Sequence, residues 1–214
     1  MTEVDADMAD MADMDEHIKP LAEAFAGRSA APAGGAAAAL ALTVGAALGE
    51  KVARLTRKHR RGQPGDSVRD ASEHALRAVW SGSIPKFGQD CDAVRAMLAA
   101  RRAGAGHEPD GGDQMEMALR VPFQVIDLAC DGVRALGDIA AMVKPHLACD
   151  IAASAHLMLS AADMSLWNLE QNAGASALSR EWRDRVDQAR RLVAGAHAIH
   201  ATITRPMRVA PEQT

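Results

Sequence analysis

The segment from Ser29 to Gly49 carries no charged side chain and consists mostly of alanine and glycine. An uncharged run of this length must either cross a membrane or be buried within the protein. Leucine and valine are few in it, so insertion into lipid would gain little free energy. Small side chains instead allow neighbouring helices to approach closely. The segment therefore predicts a buried helix in a tightly packed bundle, and not a membrane span.

Helical spacing also dominates the rest of the chain, and almost no segment alternates with the period of two that a strand requires. The predicted fold class is all-α, an elongated up-and-down helical bundle. A single domain is predicted at 17–205, between an acidic flexible tail at 1–16 and a second flexible tail at 206–214. The predicted helices are a short one from about Ile18 to Gly27, then 36–61, 66–102 with a pause at 81–85, 113–143 with a kink at Pro122, 145–172 and 177–202.

Composition narrows the function classes. Aromatic residues make up only 3% of the chain and tyrosine is absent, so the core must be built from small and aliphatic side chains, which favours additional burial in an oligomer. A formal net charge of −4 argues against a general nucleic-acid-binding protein. The N-terminus is acidic, unlike a secretory signal. The cysteines, Cys91, Cys130 and Cys149, form no CxxC pair, which predicts buried thiols in a reducing cytoplasm.

The first candidate site is Pro32-Ala-Gly-Gly35 at the start of the small-residue helix. Consecutive glycines let backbone N–H groups approach a ligand, and a helix start favours anions. The alternative is a tight turn followed by close helix packing. Gly45 and Gly49 favour that alternative, because glycines one turn apart let another helix come near.

A basic cluster follows on the same predicted helix. Lys51, Arg54, Lys58 and Arg61 fall near one helical face. They could hold an acidic ligand, although a solvated surface near a helix C-terminus is the simpler interpretation.

Acidic and amide side chains supply the remaining candidates. Asp90 could act as a general base if it faces a pocket, and Asp92 points in a different direction on the helix. Asn168 and Asn172 share a helical face and, with Asp150, suit recognition of the edge of a flat heterocycle. Ordinary surface acids and an interhelical polar contact are the alternatives. His197 and His200 lack the further ligands that a metal site needs, so no metal is expected.

The order of these motifs resembles the methenyltetrahydrofolate cyclohydrolase / formiminotetrahydrofolate cyclodeaminase family. That family opens with a P-G-G-G-S/G pattern, an alanine-rich helix ending in V-x-x-L-T, and a basic run. The matching segments here are Pro32–Leu40, Val44–Gly49, Val52–Thr56 and Arg57–Arg61.

Later family elements resemble D-x-E-A-F-x-A, V-P-L-x-x-A-E, S-D and N-x-x-x-N. Their counterparts are Asp90–Ala96, Val121–Asp127, Cys149–Asp150 and Asn168–Asn172. The resemblance spans about residues 17–200. The chain departs from the pattern at Ala33 and Ala36 of the glycine loop, lacks the aromatic after the basic run, and is shortened between its second and fourth helices.

The resemblance implies a cytoplasmic homodimer of helical bundles that binds a folate near the glycine loop and needs no cofactor beyond the tetrahydrofolate substrate. It implies hydrolysis of methenyltetrahydrofolate to formyltetrahydrofolate, with Asp90 as the base. The implied ligand contacts are backbone groups of Gly34 and Gly35, Asp150, Asn168 and Asn172 at the pterin or the reacting bridge, and Lys51, Arg54 or Lys58 at the acidic tail.

Two alternatives stay open. The first is cyclodeamination of formiminotetrahydrofolate with release of ammonia, which shares the methenyl compound. The second is a non-catalytic folate-binding or partner-binding protein of the same fold, motivated by Ala33 and Ala36.

Overall fold

The computed structural model describes residues 3–56, 65–102, 112–174 and 179–205, and within these ranges the chain forms helices joined by short connections, with no strand. A pair of 3₁₀ turns, Ala140–Met142 and Pro145–Leu147, connects the fourth helix to the fifth. The prediction of an all-α bundle is confirmed. The helices are α1 Glu3–Ala26, α2 Gly34–Thr56, α3 Asp66–Arg102, α4 Gly112–Ile139, α5 Ala148–Gly174 and α6 Arg180–Thr204.

The predicted helices are found, with differences in their bounds. Helix α4 ends at Ile139, before the predicted 143, and residues 57–61 of the helix predicted at 36–61 lie outside the described residues. Helix α1 begins at Glu3, well before the predicted start near Ile18. The pause predicted at 81–85 is wrong, because α3 continues through Pro85. Proline removes only one N–H from the helix, and packing against α2 and α4 holds both halves of α3 in one rod. The division into one domain and two tails stays a prediction.

The core lies where α2 packs between α3 and α5, and where α4 packs against α3, α5 and α6. Its largest side chains are aliphatic, as the composition predicts, and include Leu42, Leu76, Ile126, Leu136 and Met158, all fully buried.

Helix α2 approaches α5 closely at its glycines. A Cβ added to Gly45 would lie 2.9 Å from the Leu157 Cβ, and one added to Gly49 would lie 2.8 Å from the Ser154 Oγ. The Ser154 hydroxyl also donates to the carbonyl of Gly45, at 2.7 Å. The interpretation of these glycines as packing positions is confirmed, since no larger residue fits without a shift.

By length and apolar composition α2 could also cross a membrane, and 56% of its most apolar window is buried inside the protein. The prediction that it does not lie in a membrane stays a prediction.

Among the cysteines, Cys91 and Cys130 are buried as predicted, whereas Cys149 is exposed, so that prediction is wrong for one thiol.

Candidate active site

A cavity of about 240 Å³ lies where four helices meet: the start of α2, the last third of α3, the first half of α4 and the end of α5. Its polar groups are few and its walls are mostly apolar, as in most small-molecule sites. The lining residues are Ala30, Ala33, Gly34, Gly35, Asp90, Ala93, Val94, Met97, Leu98, Ala118, Val121, Pro122, Asn168 and Asn172.

Asp90 is the acidic group of this cavity. Its side chain is buried, with 8% of the residue exposed, and it accepts a hydrogen bond from the backbone N–H of Ala36. Its Oδ2 atom is buried and has no hydrogen-bond partner in the described part of the chain. Burial raises the pKa of Asp90, and the Ala36 bond offsets only part of that effect. The arrangement leaves a carboxyl oxygen free to exchange a proton with a bound molecule.

Gly35 allows Asp90 to occupy this place. A Cβ added to Gly35 would overlap the carboxyl group of Asp90, whereas one added to Gly34 would lie 3.7 Å from the Asn168 amide, an ordinary contact. The sequence left two interpretations of the glycine loop open, a ligand site and close helix packing, and both apply. Close packing at Gly35 brings the start of α2 against Asp90, which lines the cavity.

The two asparagines line the cavity from α5, one turn apart. The Asn172 amide donates to the Ala118 carbonyl on α4, at 2.9 Å, so part of its bonding capacity holds two helices together. Asn168 lies near Gly34 at the cavity wall. Both are half-buried.

Five of the predicted site residues thus meet in one cavity: Gly34, Gly35, Asp90, Asn168 and Asn172. By contrast, Asp92 is exposed and pairs with Arg95, at 2.9 Å. The predicted difference in direction between the two acids is confirmed.

Asp150 is not brought to this cavity. It lies in the first turn of α5, about 27 Å along the helix from Asn168 at 1.5 Å per residue.

The basic residues of α2 are also distant. Lys51 is exposed and lies about 25 Å along α2 from Gly34. Arg54 pairs with Glu50 and with Glu73. Lys58 lies outside the described residues.

Sequence reasoning missed the apolar wall formed by Val94, Met97 and Leu98. The signal was present, because these residues follow Asp90 at helical spacing and share its face of α3. When apolar residues follow an acid on the same face of its helix, the pattern predicts that the acid faces a pocket.

The two departures in the glycine loop have different surroundings. Ala33 lines the cavity, so its methyl group occupies space there. Ala36 is fully buried in a small cluster with Ala31 and Cys91, away from the lining. Its backbone N–H still reaches Asp90, so alanine at this position keeps the donor.

Within the described ranges, no three or more His, Cys, Asp or Glu side chains are arranged to hold a metal ion. The histidines noted in α6 have other partners: His197 contacts Asp163 and His200 contacts His156, each at 2.9 Å.

Comparison with known proteins agrees with this architecture. A family model described as formiminotransferase-cyclodeaminase matches residues 17–191. The fold is similar to the crystal structure of formiminotetrahydrofolate cyclodeaminase from Thermotoga maritima, with a TM-score of 0.74, 19% sequence identity, and coverage of 88% of this chain and 96% of that chain. No curated protein matches the chain. At this identity, the structural likeness shows the fold alone.

Proposed function

The chain belongs to the formiminotransferase-cyclodeaminase family, and from that membership we propose that the Asp90 cavity binds a tetrahydrofolate and acts on the one-carbon unit it carries. The observation that carries the proposal is the Asp90 carboxyl, buried in an apolar cavity with one oxygen unpaired. The expectation of a folate-type ligand follows from the family.

The cavity offers what one end of such a ligand needs. Its apolar walls can cover the faces of a flat ring, and the amides of Asn168 and Asn172 can meet polar ring edges. At about 240 Å³ it is smaller than the roughly 300–1,000 Å³ of pockets that enclose a whole drug-sized ligand. We therefore place the ring and the one-carbon bridge inside, with the remainder of the molecule outside.

In the hydrolytic reaction, Asp90 acts as a base. The carbon of the methenyl bridge is already electrophilic because its two nitrogens share a positive charge. Water adds to this carbon, and one of its protons passes to the free oxygen of Asp90. The other proton moves to the departing nitrogen as one carbon–nitrogen bond opens, which leaves a formyl group on the other nitrogen. A raised pKa makes Asp90 a stronger base than an ordinary aspartate. The cationic bridge also offsets the cost of a buried carboxylate.

Cyclodeamination is the second candidate, and the family description favours it. There the amine nitrogen that links the pterin to its aryl group attacks the formimino carbon and gives up its proton, and ammonia leaves after the departing nitrogen gains a proton. A carboxyl group whose pKa is raised keeps its proton to higher pH than usual, so Asp90 can supply that proton. Both reactions place the same carbon beside the same oxygen.

Retention of Asp90 with an unpaired oxygen argues against a purely binding role. A buried polar atom without a partner costs free energy, and proton exchange with a substrate gives this acid a role that offsets the cost.

The absorbance of methenyltetrahydrofolate separates the two reactions. Purified protein is mixed with methenyltetrahydrofolate in one experiment and with formiminotetrahydrofolate in the other. Loss of the band above the spontaneous rate indicates the hydrolase, and its appearance with release of ammonia indicates the cyclodeaminase. No change with either compound contradicts the proposal of catalysis on a folate.

A further inference from the structure

A second cavity, of about 220 Å³, adjoins the first along helices α3 and α4. Its lining is cationic, with two positive side chains and no acidic one, and Val121 lines both cavities. We call it the Lys86 compartment, lined by Lys86, Gln89, Met117, Arg120, Val121 and Gln124.

Adjacent positions of the same helices face the two cavities. On α3, Gln89 lines the Lys86 compartment and Asp90 lines the first cavity; on α4, Met117 and Ala118 are divided in the same way. A molecule seated against Asp90 therefore has the Lys86 compartment as its immediate neighbour.

Among the described residues, the cations of this compartment have no acidic partner. In that part of the chain the Lys86 ammonium donates to the neutral side-chain oxygens of Gln89, at 3.1 Å, and Gln124, at 2.8 Å. Arg120 forms no ion pair with any acid of the described ranges. Elsewhere on the described surface, Arg95 pairs with Asp92, Arg134 with Asp131, and Arg190 with Glu170.

The two positive charges also oppose each other. Burial lowers the pKa of Lys86, and the positive charge of Arg120 lowers it further. A bound anion would remove this repulsion and would give the ammonium a charged acceptor, which forms a stronger hydrogen bond than a neutral amide.

From these contacts we propose that the Lys86 compartment binds the carboxylate end of the ligand whose ring occupies the Asp90 cavity, with Lys86 and Arg120 as the charged contacts. The inference rests on the proposed function, because a tetrahydrofolate ends in a glutamate. Lys86 and Arg120 take the role that the sequence suggested for the basic residues of α2. Lys51 lies about 25 Å along the helix from the cavity, and Arg54 already pairs with Glu50 and Glu73.

Two matched ligands test the proposal by isothermal titration calorimetry on the full chain. The first is 5-formyltetrahydrofolate, a stable reduced folate, and the second is its glutamate diamide, in which both carboxylates become neutral amides of nearly equal size. The wild-type protein should bind the diacid about tenfold more tightly, the scale of one hydrogen bond to a charged group. Lys86→Met and Arg120→Met should each reduce that ratio towards one.

The diamide also reports folding, because its affinity should be the same in wild type and in both variants. Arg134→Met is the matched control on α4, about 21 Å further along the helix, and it should keep the wild-type ratio. Binding of the diacid should also weaken with added salt, as expected for ion pairing at a partly open site.

Three results would overturn the inference, and they differ in whether they also contradict the proposed function. A wild-type protein with equal affinity for both ligands, or an undiminished ratio in both variants, contradicts the Lys86 compartment while the proposed function stands. A wild-type protein that binds neither ligand contradicts the proposed function and this inference with it.

Discussion

The carboxyl group of Asp90 owes its chemical character to its surroundings. Glu50 is equally buried, and burial alone would raise the pKa of both acids. Yet the pKa of Glu50 is lowered, because bonds from Trp80 and Arg77 and the charge of Arg54 outweigh its burial. Asp90 has a single backbone donor and a raised pKa. What marks the site is therefore an acid left without charged partners, rather than burial.

Replacement of Asp90 by Asn should stabilise the fold, with an effect that depends on pH. Because the pKa of folded Asp90 is raised, the folded state binds this proton more tightly than the unfolded chain. Wild-type stability therefore falls as pH rises from about 4 through the raised pKa. Asparagine does not ionise, so the gain in unfolding free energy should be largest near pH 8 and smallest near pH 4, roughly the ordinary range of an aspartate.

Urea unfolding of the two proteins at several pH values measures this difference. Groups shared by both proteins cancel in the comparison. An Asp90→Asn protein that is less stable than wild type at the higher pH would mean that the carboxylate has a stabilising partner, which contradicts the account of its burial.

The glycine loop gives a second test at the scale of single residues. The Gly35→Ala side chain would overlap the Asp90 carboxyl and should displace it, lowering kcat about 100-fold, the scale expected for a misplacement near 1 Å. Gly34→Ala is the matched control, because its methyl group meets only the Asn168 amide at contact distance. It should change KM more than kcat.

Steady-state kinetics measures kcat and KM of both variants, on the substrate that the wild type turns over. Equal losses of kcat at the two positions would show that neither glycine tolerates a side chain, and would contradict a specific link between Gly35 and Asp90.

At the scale of helices, the packing of α2 depends on its many small side chains. Its glycines and alanines bring α5 close enough for the Ser154 hydroxyl to bond the Gly45 carbonyl. The scarcity of large side chains and the absence of charge in 29–49 therefore gave the clearest indication of the fold, and the predicted packed helix is found at Gly34–Thr56.

Two glycine substitutions should have opposite effects on stability. Gly49→Ala places a methyl group 2.8 Å from the Ser154 Oγ and 3.1 Å from side-chain carbons of Leu136 and Leu76. It should cost about 1–3 kcal/mol of unfolding free energy, as overpacked cores do. Gly195→Ala, in the middle of α6, meets nothing within 4 Å and should gain about 0.5–1 kcal/mol from helix propensity.

Chemical denaturation of the wild type and the two variants provides these values. A neutral Gly49→Ala would show that α2 and α5 can separate without loss, and that the small residues of α2 are not needed for packing.

The limits of sequence prediction are also clearest at this scale. The run Ser81-Gly-Ser-Ile-Pro85 contains the residues that usually end helices, yet α3 passes through it. Local preferences are weak compared with burial against two neighbouring helices, and that burial depends on residues far away in the chain.

At the scale of the whole molecule, the site exists only because four helix segments meet. Periodicity places Asp90, Asn168 and Asn172 on faces of their helices, and the order of motifs related them to one family. Neither the periodicity nor the order of motifs shows which ends of different helices lie beside each other in the bundle. Asp150 and Lys51 were therefore grouped with residues that lie about 25 Å or more along their helices, and the adjoining cations, Lys86 and Arg120, were missed because no motif includes them.

We propose that the free oxygen of Asp90 exchanges a proton with a one-carbon tetrahydrofolate in this cavity. To test this, the methenyltetrahydrofolate band is followed with wild type and Asp90→Asn, using methenyl- and formiminotetrahydrofolate in turn, and ligand binding is measured in parallel. We expect turnover of one compound by wild type, a loss of about 100-fold or more in Asp90→Asn, and retained binding. Turnover that survives in Asp90→Asn would contradict the assignment of Asp90 as the proton-transfer group.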